Sequence, residues 1–367
     1  MAFLLRFAAV LIAKSYWFPP PRPGLASAHW EFGYEMGRIA HSIALGHGFG
    51  SPFHGWTGPT AWQPPLYPYL LAGIFRLFGV YSPASGLVAL ALNCIAAGLS
   101  TLLIYRIADH IGGKKVALWS AWIWAVLPSM MDYAVFWAWE TEITILLLLI
   151  AIWLTLTLPD ENSSAAWLKL GAVWGLIALI NTTLISMMPF MLAWAWWQSR
   201  SSRRTWHAAA AVALVVVMIT PWIIRDRVVM GKWMFMRDNL WAEVSFGNDA
   251  NSRRGWLTWR YPGSDPAEFR HYAEAGELNY LAGRKRLVFD TFHRDPGFFA
   301  RTTLQHVVVF WVGPYPFFND DLTPADVIDQ HALEICLTTL AWAGLLLLLL
   351  DRPGRKLGLL LLPALLV

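Results

Sequence analysis

The chain has 367 residues, of which 57% are hydrophobic and only 14% are charged. Soluble globular domains are about 45–50% apolar and about 25% charged, so this composition excludes an ordinary soluble protein. The net charge of +4 does not indicate a nucleic-acid partner, because the basic residues lie in short loops between long uncharged runs. Those uncharged runs predict an integral membrane protein.

The first run, residues 2–18, is interrupted by Arg6 and Lys14 and is interpreted as an uncleaved span. Crossing the hydrocarbon core takes about 20 apolar residues. By that measure, further spans are expected within 77–105 and at 116–131, 143–158, 170–199 (two spans), 208–224 and 335–350. The last run, 357–367, is too short to cross. The sequence is therefore interpreted as truncated at its C-terminus, inside a helix.

The stretch 170–199 is uncharged for 30 residues, which fits either one long helix or two short ones. Loop charge favours two, because basic loops prefer the cytoplasmic side of a membrane. If 106–115, 200–204 and 352–356 all face the cytoplasm, the chain has to reverse near INTT (180–183). The segments left on the outer side are then 19–81, 132–142 and 225–331.

The predicted fold class is an all-α polytopic membrane protein with interfacial helices in its outer loops. Three segments are expected: a transmembrane core over 1–224 that includes the outer loop 19–81, an outer-face polar segment over 225–331, and further transmembrane helices over 332–367. No internal repeat is evident, which weighs against transporter folds built from duplicated halves.

The first outer loop carries Glu31 and Glu35, four residues apart, which places them on one face if this segment is a helix. One alternative is a solvated amphipathic helix that lies on the membrane with its glutamates facing water. Another is a histidine metal site. The spacings of six and seven residues between His41, His47 and His54 match no zinc signature.

Two more acidic residues, Glu140 and Glu142, stand at the outer end of the span 143–158. A carboxylate at a membrane boundary is costly unless it faces water, a partner or a site. Marking the interface is the favoured interpretation for Glu142. It fits Glu140 less well, because Glu140 directly follows the aromatic residues Trp137 and Trp139.

Two arginines, Arg225 and Arg237, follow the span that ends in TPWII. A guanidinium can bind a phosphate through two parallel hydrogen bonds, so either arginine is a candidate for a lipid phosphate. Snorkelling at the interface is an equally weighted alternative.

Six motifs in order resemble the GT-C superfamily of polytopic glycosyltransferases: IAHSIALGHGFGSPF, TGPTAWQPPLYPYLLAGIFRLFG, WIWAVLP, WETEITILLL, TPWIIRD and RDNLWAEVSFGND. The resemblance covers essentially the whole chain. Within the superfamily, the chain is similar to glycosyltransferase family 39, which includes protein O-mannosyltransferases and the lipid A aminoarabinose transferase. It implies a polyprenyl-phosphate-linked sugar donor and a lipid, glycan or protein acceptor. It also implies an active site on the outer face of the cell (inner or plasma) membrane, among membrane lipids.

The resemblance also suggests roles for residues. Glu35 lies closest to the position of the first-loop acid and is the expected base, with Glu31 second. Many relatives have an Asp-Glu pair there, which this chain lacks. Glu140 matches the acid at the mouth of the fourth span and is expected to orient the acceptor or bind a divalent ion; no cofactor is certain. Arg225, and after it Arg237, is expected to bind the donor phosphate.

In the family the PPLYP segment begins a helix on the membrane surface. Adjacent prolines suit a helix start, and aromatic residues suit the interface. A rival function is a lipid or solute transporter or flippase, which would place ionisable residues in the middle of its spans. A membrane scaffold without chemistry is a third alternative, but it leaves the acidic, aromatic outer loop unexplained.

Overall fold

The computed structural model describes residues 1–18, 32–161, 163–248, 261–312, 324–351 and 354–366, which are helical apart from turns and one isolated bridge. The predicted fold class, an all-α polytopic membrane protein, is confirmed. The α-helices of these residues are α1 (Ala2–Ala13), α2 (Tyr34–Ala44), α3 (Leu66–Phe78), α4 (Pro83–Val126), α5 (Pro128–Phe136), α6 (Thr141–Glu161), α7 (Ser164–Ile180), α8 (Met188–Gln198), α9 (Arg204–Met230), α10 (Leu240–Gly247), α11 (Pro266–Ala275), α12 (Glu277–Arg294), α13 (Pro296–Val312), α14 (Pro324–Leu350) and α15 (Arg355–Leu366).

In the described residues, three helices are long and apolar enough to cross a membrane: α4, α6 over Thr141–Pro159, and α9. Helix α4 is two helical arms joined at Gly113, whose φ of 78° and ψ of 177° are accessible to glycine but not to other residues without strain. The break falls within 106–115, where the sequence predicts a loop between two spans. Residues of both arms line one apolar cavity with the start of α1, so the arms lie side by side.

The predicted break near INTT is also found. Helix α7 ends at Ile180, and the side chain of Asn181 accepts a hydrogen bond from the backbone N–H of Thr183. A short 3₁₀ helix, Thr182–Met187, then leads into α8. At 17 and 11 residues, α7 and α8 are shorter than the roughly 20 residues of a typical span.

Helices α7 and α9 run parallel and pack very closely. A Cβ atom on Gly171 would lie 2.6 Å from the backbone oxygen of Ala211, and one on Gly175 would lie 2.4 Å from the sulfur of Met218. Small residues allow helix backbones to approach in this way, which is typical of membrane helices. The residue numbers of the two contacts rise in the same direction along both helices, which is why α7 and α9 are parallel. Helix α8, which lies between them in sequence, therefore returns the chain to the end at which α9 begins.

The chain divides into two compact units, Met1–Arg237 and Asp238–Val367. In the first unit a hydrophobic cluster joins α2, α3, α5, α7 and α9, with members such as Ile39, Leu71, Val135, Ala178 and Trp222. We call this region the loop end: it comprises α2, α3, the loop 49–60, α5, residues 137–140 and 231–237, and the adjoining ends of α6, α7 and α9. Every sequence-predicted site residue that the structure describes lies at the loop end.

The second unit has its own internal contacts. The hydroxyl of Tyr272 on α11 donates to Glu277 on α12 at 2.6 Å, and Arg284 forms an ion pair with Glu268. The guanidinium of Arg284 also lies 5.0 Å from the ring centroid of Tyr280. These contacts stabilise the α11–α12 pair.

Candidate active site

Helix α2 is embedded in the protein. The residues buried along it include both apolar and polar side chains: Met36, Gly37, Arg38, Ile39, Ala40, Ser42 and Ile43. The alternative of a solvated surface helix therefore does not hold. Glu35 is half-buried in the first turn, where the helix dipole favours a negative charge. Glu31 lies outside the described residues.

Helix α3 begins directly after the adjacent prolines Pro64 and Pro65, as the sequence predicts. Proline fixes φ near −65° and lacks an N–H, and both properties suit a helix start. The first turn places Tyr67 in the interior with only 2% of its surface exposed. The proline elbow therefore determines where this side chain enters the loop end.

Arg225 holds the loop 49–60 closed. Its Nη1 donates to the carbonyl oxygen of Thr60 and its Nη2 donates to that of Phe49, both at 2.7 Å. Nη1 also donates to Asp226 at 2.9 Å, and the guanidinium lies over the rings of Phe49 and Trp222. These hydrogen bonds occupy three of its five N–H groups, and its side chain is only 20% exposed.

Glu140 lies among polar groups from three other parts of the chain. The Nδ2 of Asn181 lies 3.5 Å from its Oε1, and Arg237 and Tyr67 are within electrostatic range of its carboxylate. Burial raises the pKa of Glu140 above its ordinary value. A backbone hydrogen bond, the charge of Arg237 and the amide of Asn181 oppose that shift without cancelling it. The carboxylate is thus suited to hold a proton more tightly than an exposed glutamate.

The position of Arg237 is set by its neighbour in sequence. Met236 is completely buried and has a φ of 65°. A bulky residue rarely adopts this left-handed conformation, which persists only where the surrounding packing enforces it. Met236 belongs to the hydrophobic cluster of the loop end, so its packing fixes the backbone from which the Arg237 side chain extends.

Three aromatic rings meet next to the two candidate carboxylates. The ring centroid of Tyr34 is 6.2 Å from that of Trp137 and 5.4 Å from that of Trp139, and the two tryptophans are 4.9 Å apart. We call these residues the aromatic cluster. Glu35 follows its first member in sequence and Glu140 follows its last. Burial and the charge of Glu35 raise the pKa of the Tyr34 hydroxyl.

The structure adds two buried ionisable residues to which the sequence analysis gave other roles. Glu142 is 1% exposed, and among the described residues its two carboxylate oxygens have no hydrogen-bond partner. Arg6 is fully buried and donates to the carbonyl oxygens of Trp124 and Ala125 at 2.9 Å. The two charges interact electrostatically. Glu142 is thus buried inside the unit, whereas the sequence favoured an interface marker. In the sequence, Arg6 stands out because it interrupts the first apolar run, but nothing there indicates Glu142 as its partner.

Among the described residues, no group of three or more His, Cys, Asp and Glu side chains is arranged to hold a metal ion. The three outer-loop histidines have separate contacts. His41 packs on Tyr81, His47 packs on Trp56, and His54 lies 3.3 Å from Arg38. A role for Glu140 in binding a divalent ion stays a prediction.

Comparison with known proteins gives one family. Residues 62–224 match the model of the dolichyl-phosphate-mannose-protein mannosyltransferase family. No curated protein and no solved structure matches the chain. The matched range contains Tyr67, Glu140 and Asn181, whereas Glu35, Arg225 and Arg237 lie outside it. The match supports the resemblance drawn from the six motifs. Over residues 62–224, the chain is therefore similar to membrane glycosyltransferases of the GT-C type.

Proposed function

We propose that the protein transfers a sugar from a polyprenyl-phosphate donor to an acceptor on the outer face of the cell (inner or plasma) membrane. The acceptor is a lipid, a glycan or a protein. One observation carries the proposal: Glu140, a half-buried carboxylate in the matched range, lies beside Asn181 and in electrostatic range of Arg237. The carboxylate stands at the start of the apolar helix α6. Together with the amide and the guanidinium, it supplies the groups that a phosphate-linked sugar requires.

The proposed reaction is an inverting transfer. The acceptor hydroxyl oxygen attacks the anomeric carbon and forms the new bond, while the bond from that carbon to the phosphate oxygen breaks. The electron pair leaves with the lipid phosphate, and the hydroxyl proton passes to a carboxylate. Glu35 is the proposed base, and Glu140 orients the acceptor. No acid has to protonate the leaving group, because a phosphate leaves readily as an anion.

For the donor phosphate we favour Arg237 over Arg225. From the sequence, Arg225 is the first candidate for binding the donor phosphate, because it directly follows a span. Its guanidinium donates to the backbone at both ends of the loop 49–60, and only two of its N–H groups remain for another partner. Arg237 is within electrostatic range of the carboxylate of Glu140. A guanidinium in such a partly dry place stabilises the charge that develops on a departing phosphate.

A transporter or flippase is the second candidate, because one observation favours it. Arg6 and Glu142 are buried ionisable residues in apolar helices, and such residues commonly mark ion or substrate paths. The sequence analysis expects ionisable residues within the spans of a transporter, so this feature strengthens the rival.

A release assay separates the two candidates. Purified protein in lipid nanodiscs is given dolichyl-phosphate-mannose labelled in the sugar, together with membranes that contain the native acceptor. The proposal expects labelled sugar to leave the donor and dolichyl phosphate to accumulate. Intact donor that only changes leaflet in sealed vesicles would support the transporter. If neither occurs with this lipid, mass spectrometry of lipids that copurify with the protein identifies the donor or contradicts its class.

A further inference from the structure

The aromatic cluster of Tyr34, Trp137 and Trp139 differs from ordinary aromatic residues at a membrane interface. Interfacial tryptophans act as single anchors and are largely exposed, as are Trp119 at 69% and Trp206 at 79%. The three rings of the cluster are each half-buried and pack against one another, so part of each ring stays accessible. Interface anchoring alone does not explain this arrangement.

The cluster is held in place by packing, which enforces an unfavourable backbone conformation at Tyr34, and by hydrogen bonds. Tyr34 has a φ of 48°, a conformation that is costly for an aromatic residue and that starts α2 with its ring against Trp137. The indole N–H of Trp137 donates to Asp132 at 2.8 Å. The backbone oxygen of Trp137 accepts from Asn93 at 2.7 Å. A surface that is fixed before binding loses less entropy when a ligand binds.

Two carboxylates adjoin the cluster in sequence, and the charge of one, Glu35, acts on the Tyr34 hydroxyl. Glu35 and Glu140 are the sequence neighbours of Tyr34 and Trp139, and the amide of Asn181 reaches Glu140. Ligand sites are commonly apolar and aromatic surfaces with a few convergent polar groups. A sugar ring has a matching shape: its C–H groups form an apolar face and its hydroxyl groups form a polar rim.

From this geometry we infer that the aromatic cluster binds a sugar ring, with the aromatic rings against its C–H face. The inference rests on the proposed function. The sugar can belong to the donor or to a glycan acceptor, since both present the same ring chemistry. The proximity of Glu140 to Arg237, the proposed phosphate ligand, favours the donor's sugar.

The test compares two lipids that differ only in the sugar. Dolichyl-phosphate-mannose and sugar-free dolichyl phosphate are titrated separately into the full chain in nanodiscs, and the affinity for each is measured. The variants are Trp139→Leu, Trp139→Phe and the matched control Trp206→Leu, whose tryptophan is exposed at the far end of α9. A well-placed aromatic contact corresponds to about a two- to tenfold change in affinity.

We expect Trp139→Leu to lose about that factor for the sugar-bearing lipid and to bind dolichyl phosphate like the wild type. Unchanged binding of the second lipid also shows that the variant is folded. Trp139→Phe keeps an aromatic face and recovers most of the loss. If both lipids bind normally but the KM for a glycan acceptor rises, the ring belongs to the acceptor and the inference still holds.

Equal losses for both lipids would overturn the inference, because the sugar would then make no contribution. Wild-type values for both lipids and for the acceptor would also overturn it, while leaving the proposed function intact. A wild-type protein that binds no polyprenyl-phosphate lipid, with or without a sugar, contradicts the proposed function itself, and the inference with it.

Discussion

The Nη2 of Arg225 donates a hydrogen bond to the carbonyl oxygen of Phe49 at 2.7 Å, across 176 residues of sequence. Its Nη1 makes an equal bond to Thr60, so one guanidinium joins the two ends of the loop 49–60 to the end of α9. The planar fork of arginine can reach both carbonyl oxygens at once, which a lysine ammonium does less well. Arg225 thereby fixes a loop whose Phe49 packs on Trp222 in the hydrophobic cluster of the loop end.

Replacing Arg225 by lysine is expected to loosen this loop. Lysine keeps the charge but loses the two-pronged geometry, and a hydrogen bond from a charged group contributes about 1.5–3 kcal/mol. We expect a lower unfolding temperature and faster hydrogen exchange at the amides of Ser51 and Thr60, which bond across the loop.

Arg227→Lys is the control for this prediction, because Arg227 is an exposed arginine on the same helix. Hydrogen exchange at 49–60 should be unchanged in that variant. Wild-type exchange in Arg225→Lys, together with a selective loss of affinity for dolichyl phosphate, would instead restore Arg225 as the phosphate ligand.

Arg237→Ala is expected to weaken binding of dolichyl phosphate and of dolichyl-phosphate-mannose by the same factor, since both carry the phosphate. The loss of a charged hydrogen-bond partner predicts about a tenfold or greater change. Arg237→Lys should retain part of the affinity. The measurement is lipid titration in nanodiscs with Arg227→Ala as the control. Wild-type affinity for both lipids in Arg237→Ala contradicts the phosphate assignment.

Stability should depend on pH through Glu140. Burial raises the pKa of its carboxyl above 4.5, so the folded protein binds this proton more tightly than the unfolded chain does. The resulting stabilisation is fully present below about pH 4.5 and is lost as the pH rises through the raised pKa.

Glu140→Gln removes this dependence, because glutamine carries no proton to lose. Thermal unfolding from pH 4 to pH 8 should show a smaller decline with rising pH in Glu140→Gln than in the wild type. Glu161→Gln, at the exposed opposite end of α6, should follow the wild-type curve. Parallel curves for all three proteins would show that Glu140 is ionised at no cost in the folded state.

The buried charges of Arg6 and Glu142 should be coupled. Arg6→Met removes two hydrogen bonds to backbone carbonyls and leaves Glu142 without its opposite charge, so it should destabilise the protein by about 2 kcal/mol or more. Neutralising the second residue, by Glu142→Gln, should be more favourable in Arg6→Met than in the wild type. A double-mutant cycle of thermal or denaturant unfolding measures the coupling.

Additive effects of the two substitutions on the free energy of unfolding would show that the charges act independently. Lys14→Met, on the exposed end of the same segment, controls for loss of a positive charge.

Features that depend on neighbouring residues could be predicted from the sequence. The start of α3 follows from two prolines that fit only a first turn, and the break after α7 follows from the charge of the loop 200–204. Glu35 and Glu140 could be selected because carboxylates stand out in an apolar chain.

Contacts between distant residues left no such pattern. Nothing in the spacing of Arg225 indicates that its partners are the carbonyl oxygens of Phe49 and Thr60, because every residue has a carbonyl. The proximity of Glu140 to Arg237 and the pairing of Arg6 with Glu142 likewise depend on how the helices pack. The φ of Tyr34 is imposed by that packing, since tyrosine itself disfavours it.

The most direct test of the central claim is the rate at which sugar leaves dolichyl-phosphate-mannose in the presence of acceptor membranes, compared between the wild type and Glu35→Gln. A positioned base contributes about 10²–10⁴-fold. The account therefore predicts turnover by the wild type, a drop of that size in Glu35→Gln, and unchanged donor binding in the variant. Equal turnover by the two proteins would contradict Glu35 as the base. A wild type that leaves every polyprenyl-phosphate-linked sugar intact would contradict the proposed sugar transfer as a whole.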